Sequence, residues 1–302
     1  MRLEISQPPL NTSLMGVVSG VCRFFGREIP EPVLFGRTGH AFIMNISEDL
    51  CPSGPYLWDM KPFISLLENS GFVMNFHGFF NEKSTREERI KLEGKLRDEL
   101  DRGHPCSILN MDNQIISGYD GTGFFCVQPW ECDFPPGRLS FGSWEEISTE
   151  IHACFFSFHE VEPLEPAFCI QRSLLFALDQ LHGNPVRPVG DSVSGIGAYA
   201  TWKTGVLGGH GESHGNWWNG TVWSECRRMA SGYFGEIAEA YPGCSAASRE
   251  LSSLYGEVAG RLEGVALKET PAEKKVELLD EAATLEGRTG DLLEELAETI
   301  ET

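Results

Sequence analysis

Near residue 163 the sequence changes its period, and that change constrains the fold more than any other feature. Before it, apolar residues come in short runs cut by Gly, Pro and Asp-Asn or Asp-Gly pairs; after it, they recur three and four apart over long stretches. Short runs between turn signals make strands, whereas a 3.6-residue period makes helices. The chain is therefore expected to be α+β, with a sheet-bearing part over 1–162 and a mainly helical part over 163–302.

Strands are expected at 71–80, 105–111, 113–119, 123–130 and 152–161, the middle three forming an antiparallel meander around Asp112-Asn113 and Asp120-Gly121. A helix over 12–25 carries the apolar face Leu14, Val17, Val18, Val21 and Phe25, with Asn11, Thr12 or Ser13 to cap it and Gly26 to end it. Residues 31–46 read as a turn-rich passage through Gly36 and Gly39 that ends in a strand-like segment, 41–46. A short helix at 61–69 and a charged one at 82–101 follow. Five helical stretches complete the chain, at 166–181, 195–207, 217–241, 245–268 and 271–300. The last two have apolar seams, beginning with Leu251 and Leu254 and with Val276 and Leu279, that suit an antiparallel hairpin with a Glu-rich outer face.

With 302 residues, 41% of them hydrophobic and 23% charged, the chain can bury a substantial core. Its 44 acidic and 24 basic side chains leave a formal charge of −20, which repels a phosphate backbone, so nucleic acid is not an expected partner. Gln7, Pro8 and Pro9 interrupt the N-terminus where a signal peptide would be apolar, and no run approaches the roughly 18 apolar residues of a membrane span. No membrane partner and a cytoplasmic location are expected. The nine cysteines never form Cys-x-x-Cys and read as reduced, structural thiols.

Three stretches in order carry a resemblance. They are Asn11 to Ser13 with the helix ending in Phe24-Phe25-Gly26, then Thr38-Gly39-His40-Ala41-Phe42, then Arg102-Gly103-His104-Pro105-Cys106 followed by Ile115-Ile116-Ser117-Gly118-Tyr119-Asp120. This order resembles papain-like proteins related to the bacteriocin-processing cysteine peptidases and to the N-terminal domain of the butirosin biosynthesis protein H. The segments at 197–202 and 222–228 are similar to the helical C-terminal half of some uncharacterised members. The resemblance spans residues 10–240 and implies a central helix packed on an antiparallel sheet. It also implies a nucleophilic cysteine opening that helix, where the helix N-terminus favours thiolate, and a histidine before the following Gly-Tyr strand. Counting back from Gly26 puts the cysteine position at Ser13; the histidine position falls on Asp112, or on Asn113 one residue later. Both catalytic groups are replaced, which implies a catalytically inactive protein that binds a small molecule or peptide in the former active-site cleft.

Rival readings stay open. Ser13 is either a nucleophile or a helix cap, and Asp112 either a cleft residue or a turn former. Cys22 lies nine residues beyond Ser13, a helical rise of about 13.5 Å and about half a turn, which suits packing better than catalysis. An acyl- or amide-transfer enzyme would use Ser13 or Cys22 with His40 as base, and an interaction protein would form a homo-oligomer through its acidic C-terminal helices. The expected ligand wall is Thr38, His40, Phe42, Tyr199, Trp202, Trp217 and Trp218. His210 and His214 are four apart but sit among Gly208, Gly209, Gly211 and Gly215, so they read as a ligand-covering loop, and no metal site is expected. His77, His104, His152, His159 and His182 show no ligand-like spacing. No phosphate-loop pattern occurs, and no cofactor is expected.

Overall fold

The computed structural model describes residues 1–81, 83–131, 135–143, 146–147, 152–183, 186–188 and 190–300. Cys132 and Phe134, and the side chain of His182, lie outside the described residues. In chain order the first elements are α1 (Ser13–Phe24), α2 (Glu31–Arg37), β1 (Asn45–Ile46), α3 (Lys61–Leu66), β2 (Phe72–Phe80) and α4 (Arg86–Asp101). Strands β3 (Cys106–Leu109), β4 (Asn113–Tyr119), β5 (Gly123–Cys126), β6 (Arg138–Ser140) and β7 (Ala153–Glu160) follow. Then come α5 (Pro166–Leu178), β8 (Val193–Ser194), α6 (Ala198–Gly205), α7 (His214–Ala240), α8 (Ser245–Ala266), α9 (Ala272–Gly287) and α10 (Thr289–Thr299). Among the described residues no helix is long and apolar enough to cross a membrane.

Internal contacts divide the chain into two compact units: Met1–Ile29 with Gly71–Pro163, and Pro30–Ser70 with Leu164–Thr302. The single boundary expected after residue 162 thus lies close to one of the observed junctions, while residues 30–70 group with the helical part.

The first unit is built on a six-stranded antiparallel sheet of order β2-β7-β3-β4-β5-β6. Adjacent strand residues point to opposite faces, and the two faces take one helix each. Ile115 approaches Gly20 of α1, whereas Ile116 joins Leu92, Leu96 and Leu100 of α4 in a buried cluster with Phe124 and Phe155. A capping box of Thr85 and Glu88 starts α4, and Gly103, at φ 85°, ends it.

The second unit is helical apart from the pair β1–β8. Helix α8 packs along α7, α9 returns along α8, and α10 reaches α8 and α5. Three expectations are corrected here. Residues 31–37 form α2, started by Pro32 in its first turn, and are not turns. Residues 41–46 are not one strand. A 3-10 turn, His40–Phe42, follows Gly39 at φ 75°, and only Asn45 and Ile46 pair as a strand. Residues 41–46 are all buried, so the apolar run reflects burial on every side, not a pleated face. The helix expected over 271–300 breaks at Arg288 into α9 and α10.

Candidate functional site

Ser13 is the first residue of α1 and is 1% exposed. Small residues bring it against the sheet. A Cβ on Gly20 would meet the Ser6 carbonyl oxygen at 2.2 Å, and one on Gly16 would meet that of Pro8 at 2.9 Å, so residues 6–8 lie directly on the helix. From that segment Gln7 Nε2 donates to the Asn113 carbonyl at 2.9 Å, and its Oε1 accepts from the Ile115 amide at 3.0 Å, which ties the N-terminus to β4. Gln7 is a site residue that sequence reasoning missed; a lone glutamine ahead of two prolines gives no signal for this role.

The Ser13 hydroxyl does not cap its own helix. Thr12 takes the N-cap position, and Ser13 Oγ accepts from the Asn113 amide at 3.0 Å and from Asn113 Nδ2 at 3.3 Å while donating to Asp112. The capping reading is therefore corrected: this hydroxyl joins α1 to the start of β4. Burial pushes the Asp112 carboxyl up to about 6, and the hydrogen bond from Ser13 offsets only part of that rise. Asp112 Oδ1 is buried without a hydrogen-bond partner among the described residues. Asp112 also borders a small cavity lined by Ile108, Gln114, Leu139 and Ile147, with about 10 Å³ open to water, room for about one molecule.

Chemically, this centre holds a hydroxyl whose lone pairs and proton are all engaged. A nucleophile needs an open approach and a base matched to its proton. Here the approach is closed and the neighbouring base is a carboxylate. Cys22 lies deeper in α1, buried, with its thiol directed to the Arg27 carbonyl at 3.5 Å. Burial pushes the thiols of Cys126 and Cys154 up, to about 12 and about 11, away from nucleophilic thiolate.

His40 belongs to the second unit. Its ring meets Phe35, Trp58 and Phe63 edge-on at 5.6–5.9 Å between centroids, and the Cys226 thiol contacts Nδ1 at 3.6 Å. Burial lowers its pKa to about 3, so the imidazole is a neutral packing group at physiological pH. Of the expected ligand wall, Thr38, Phe42, Tyr199 and Trp202 are likewise core residues. Thr38 Oγ1 bonds back to Leu34 O, and Phe42 packs on Tyr233, Phe234 and Tyr255. Tyr199 donates to Glu286, and Trp202 Nε1 donates to Asn216 Oδ1. Only Trp217 and Trp218 reach the surface, forming a ladder with His214 at 5.1 and 5.6 Å between centroids. His210 ends a π-helical turn in which Gly209 takes φ 94°, and His214 begins α7, so the glycine segment is a compact helix junction in place of the expected loop.

The fold does unite histidines that sequence spacing leaves apart. His104 and His159 converge on Glu99, the one group of at least three metal-competent side chains among the described residues. Compared with protein-family models and with curated proteins, the chain matches no family model and no curated protein.

Proposed function

We propose that the chain is a papain-like protein without peptidase chemistry that binds a small molecule or peptide. The observation that carries this reading is the Ser13 hydroxyl, sealed at the start of α1 and fully engaged with Asn113 and Asp112. An attacking group at that position would have to break three hydrogen bonds and pass its proton to a carboxylate. The net cost of unmaking buried hydrogen bonds, about 1–3 kcal/mol each, is added to the barrier before any chemistry starts. The ligand contact falls to the exposed ladder of Trp217, Trp218 and His214, since indoles at a surface offer an apolar face and a polar edge together.

Incubation with a fluorophosphonate probe, followed by peptide mass mapping, tests the first half of this reading. No adduct at Ser13 is expected; a stoichiometric Ser13 adduct, with ester hydrolysis abolished in Ser13→Ala, would restore the acyl-transfer reading. For the second half, a peptide and metabolite panel is screened by tryptophan fluorescence. Hits should survive Ser13→Ala and be lost in Trp217→Ala; the reverse pattern would move the ligand to Ser13.

A further inference from the structure

The cluster around Glu99 lies on the face of the sheet that α4 covers, and the binding reading makes no use of it. Glu99 sits in the last turn of α4. There Gly103, at φ 85°, turns the chain so that the His104 amide bonds the Glu99 carbonyl at 3.0 Å and the His104 ring swings back over the carboxylate. His159 comes from β7, on the same face as Phe155 and Ser157. His104 Nδ1 lies 2.7 Å and His159 Nε2 2.8 Å from one oxygen, Glu99 Oε2, and the two rings lie 3.9 Å apart between centroids, tilted by 30°. The other oxygen, Oε1, faces the exposed Arg102 at 3.7 Å. Ser157 Oγ lies 3.3 Å from that same His159 Nε2 and 2.8 Å from His77 Nε2, so the hydroxyl turns to His77 when a metal takes the His159 nitrogen.

We propose that Glu99 Oε2, His104 Nδ1 and His159 Nε2 bind a divalent first-row transition metal, with Zn²⁺ the best fit, and leave the fourth position to water. Two imidazoles and one carboxylate are borderline donors, suited to Zn²⁺ and its neighbours and poorly suited to Mg²⁺ or Ca²⁺. The three donor atoms lie within 4.8 Å of one another. Bonds of about 2.0–2.2 Å in a tetrahedron need donors about 3.3 Å apart, so each imidazole has to withdraw from Oε2 by about half an ångström as the metal takes the place of the proton that each nitrogen directs at Oε2.

Two further features favour a cation. The C-terminus of α4 points the negative end of its dipole at the cluster. The donors are also fixed by three separate pieces of backbone before any metal arrives, which reduces the ordering cost of binding.

The test is calorimetric titration of the metal-stripped full chain with ZnCl₂ near pH 7.5, beside a thermal unfolding series with and without the metal. One Zn²⁺ per chain is expected, with a rise in the thermal midpoint, no response to MgCl₂, and at least about a tenfold weaker affinity in His104→Ala and in His159→Ala. Both rings are about one-third exposed, so truncation spares the core. His104→Gln gives a second reading should an alanine variant fail to fold. Cobalt substitution separates this site from the cysteines, since imidazole and carboxylate donors give visible bands without a thiolate charge-transfer band. Absence of saturable Zn²⁺ binding, wild-type affinity in the double variant His104→Ala/His159→Ala, or a thiolate band on the bound cobalt would each overturn the proposal.

Discussion

Asp112 is the residue at which the candidate centre leaves a measurable mark on stability. Its carboxyl is raised from 3.8 to about 6 by burial, so the native state holds that proton more tightly than the unfolded chain does. The stabilisation is full below about pH 4 and is lost as pH rises through 6; in free energy it is on the order of 2 kcal/mol, allowing for partial exposure. Asp112→Asn mimics the protonated group. In urea unfolding it should match the wild type at pH 4 and exceed it by about 2 kcal/mol at pH 8. A difference that does not change with pH would mean that the carboxyl is not shifted. Ser13→Ala should cost about 1–3 kcal/mol, more at pH 8 than at pH 4, because it strands the Asn113 amide and side chain without their acceptor and takes from Asp112 the hydrogen bond that favours its carboxylate. The family resemblance set Ser13 against Asp112, or Asn113 one residue later, and the Ser13 hydroxyl bonds Asn113. The packing role of His40 was legible in part: a lone histidine before an apolar run is more often a packing residue than a base, although the same pattern also suits a cleft wall.

Among the elements, those punctuated by turns were the legible ones. Asp112-Asn113 and Asp120-Gly121 mark out β3, β4 and β5, and the seams of α8 and α9 are periodic enough to stand out. By contrast, α2 is too short for a period to show, and the β1–β8 pair is two residues long and joins segments about 150 positions apart. Least legible were the charges. The Glu-rich C-terminal helices read as solvated faces, yet Glu286 of α9 is buried and forks onto Arg227 of α7, at 3.0 Å to Nε and 2.6 Å to the terminal nitrogen. Arg227 also donates to the carbonyls of Ala41 and Ile43, and Tyr199 of α6 donates to Glu286, so one ion pair joins α6, α7, α9 and the turn before β1. Glu286→Ala leaves a buried guanidinium uncompensated and should destabilise the protein by about 3–5 kcal/mol in chemical denaturation. The double variant Arg227→Met/Glu286→Leu should recover part of that loss, since removing both charges removes their desolvation cost but leaves the Ala41 and Ile43 carbonyls and the Tyr199 hydroxyl without these partners. A double variant no better than Glu286→Ala would place the loss in packing, not in the stranded charge.

For the whole molecule, the change of period falls near residue 163, whereas the two compact units also exchange chain at residues 30 and 70. Residues 30–70 precede every strand of the six-stranded sheet in sequence yet belong to the helical unit, and no local pattern records that return. The helices after residue 244 bear on a related question, whether they form a detachable, acidic dimerisation hairpin. Leu251, Leu254, Val258, Leu262 and Val265 of α8 are all buried, and α8 approaches α7 so closely that a Cβ on Gly220 would lie 2.6 Å from the Ala266 side chain. Burial of those five side chains is worth on the order of 10 kcal/mol, comparable with the whole net stability of a domain, and removal of α9 would also strand Arg227. A chain ending at residue 244 should therefore lose the cooperative unfolding of its second unit, bind a hydrophobic dye and aggregate through the bared face of α7. Circular dichroism and light scattering on the truncated chain check this. A truncated monomer that keeps a sharp transition and sediments as one species would instead mark the hairpin as an appendage whose function is association.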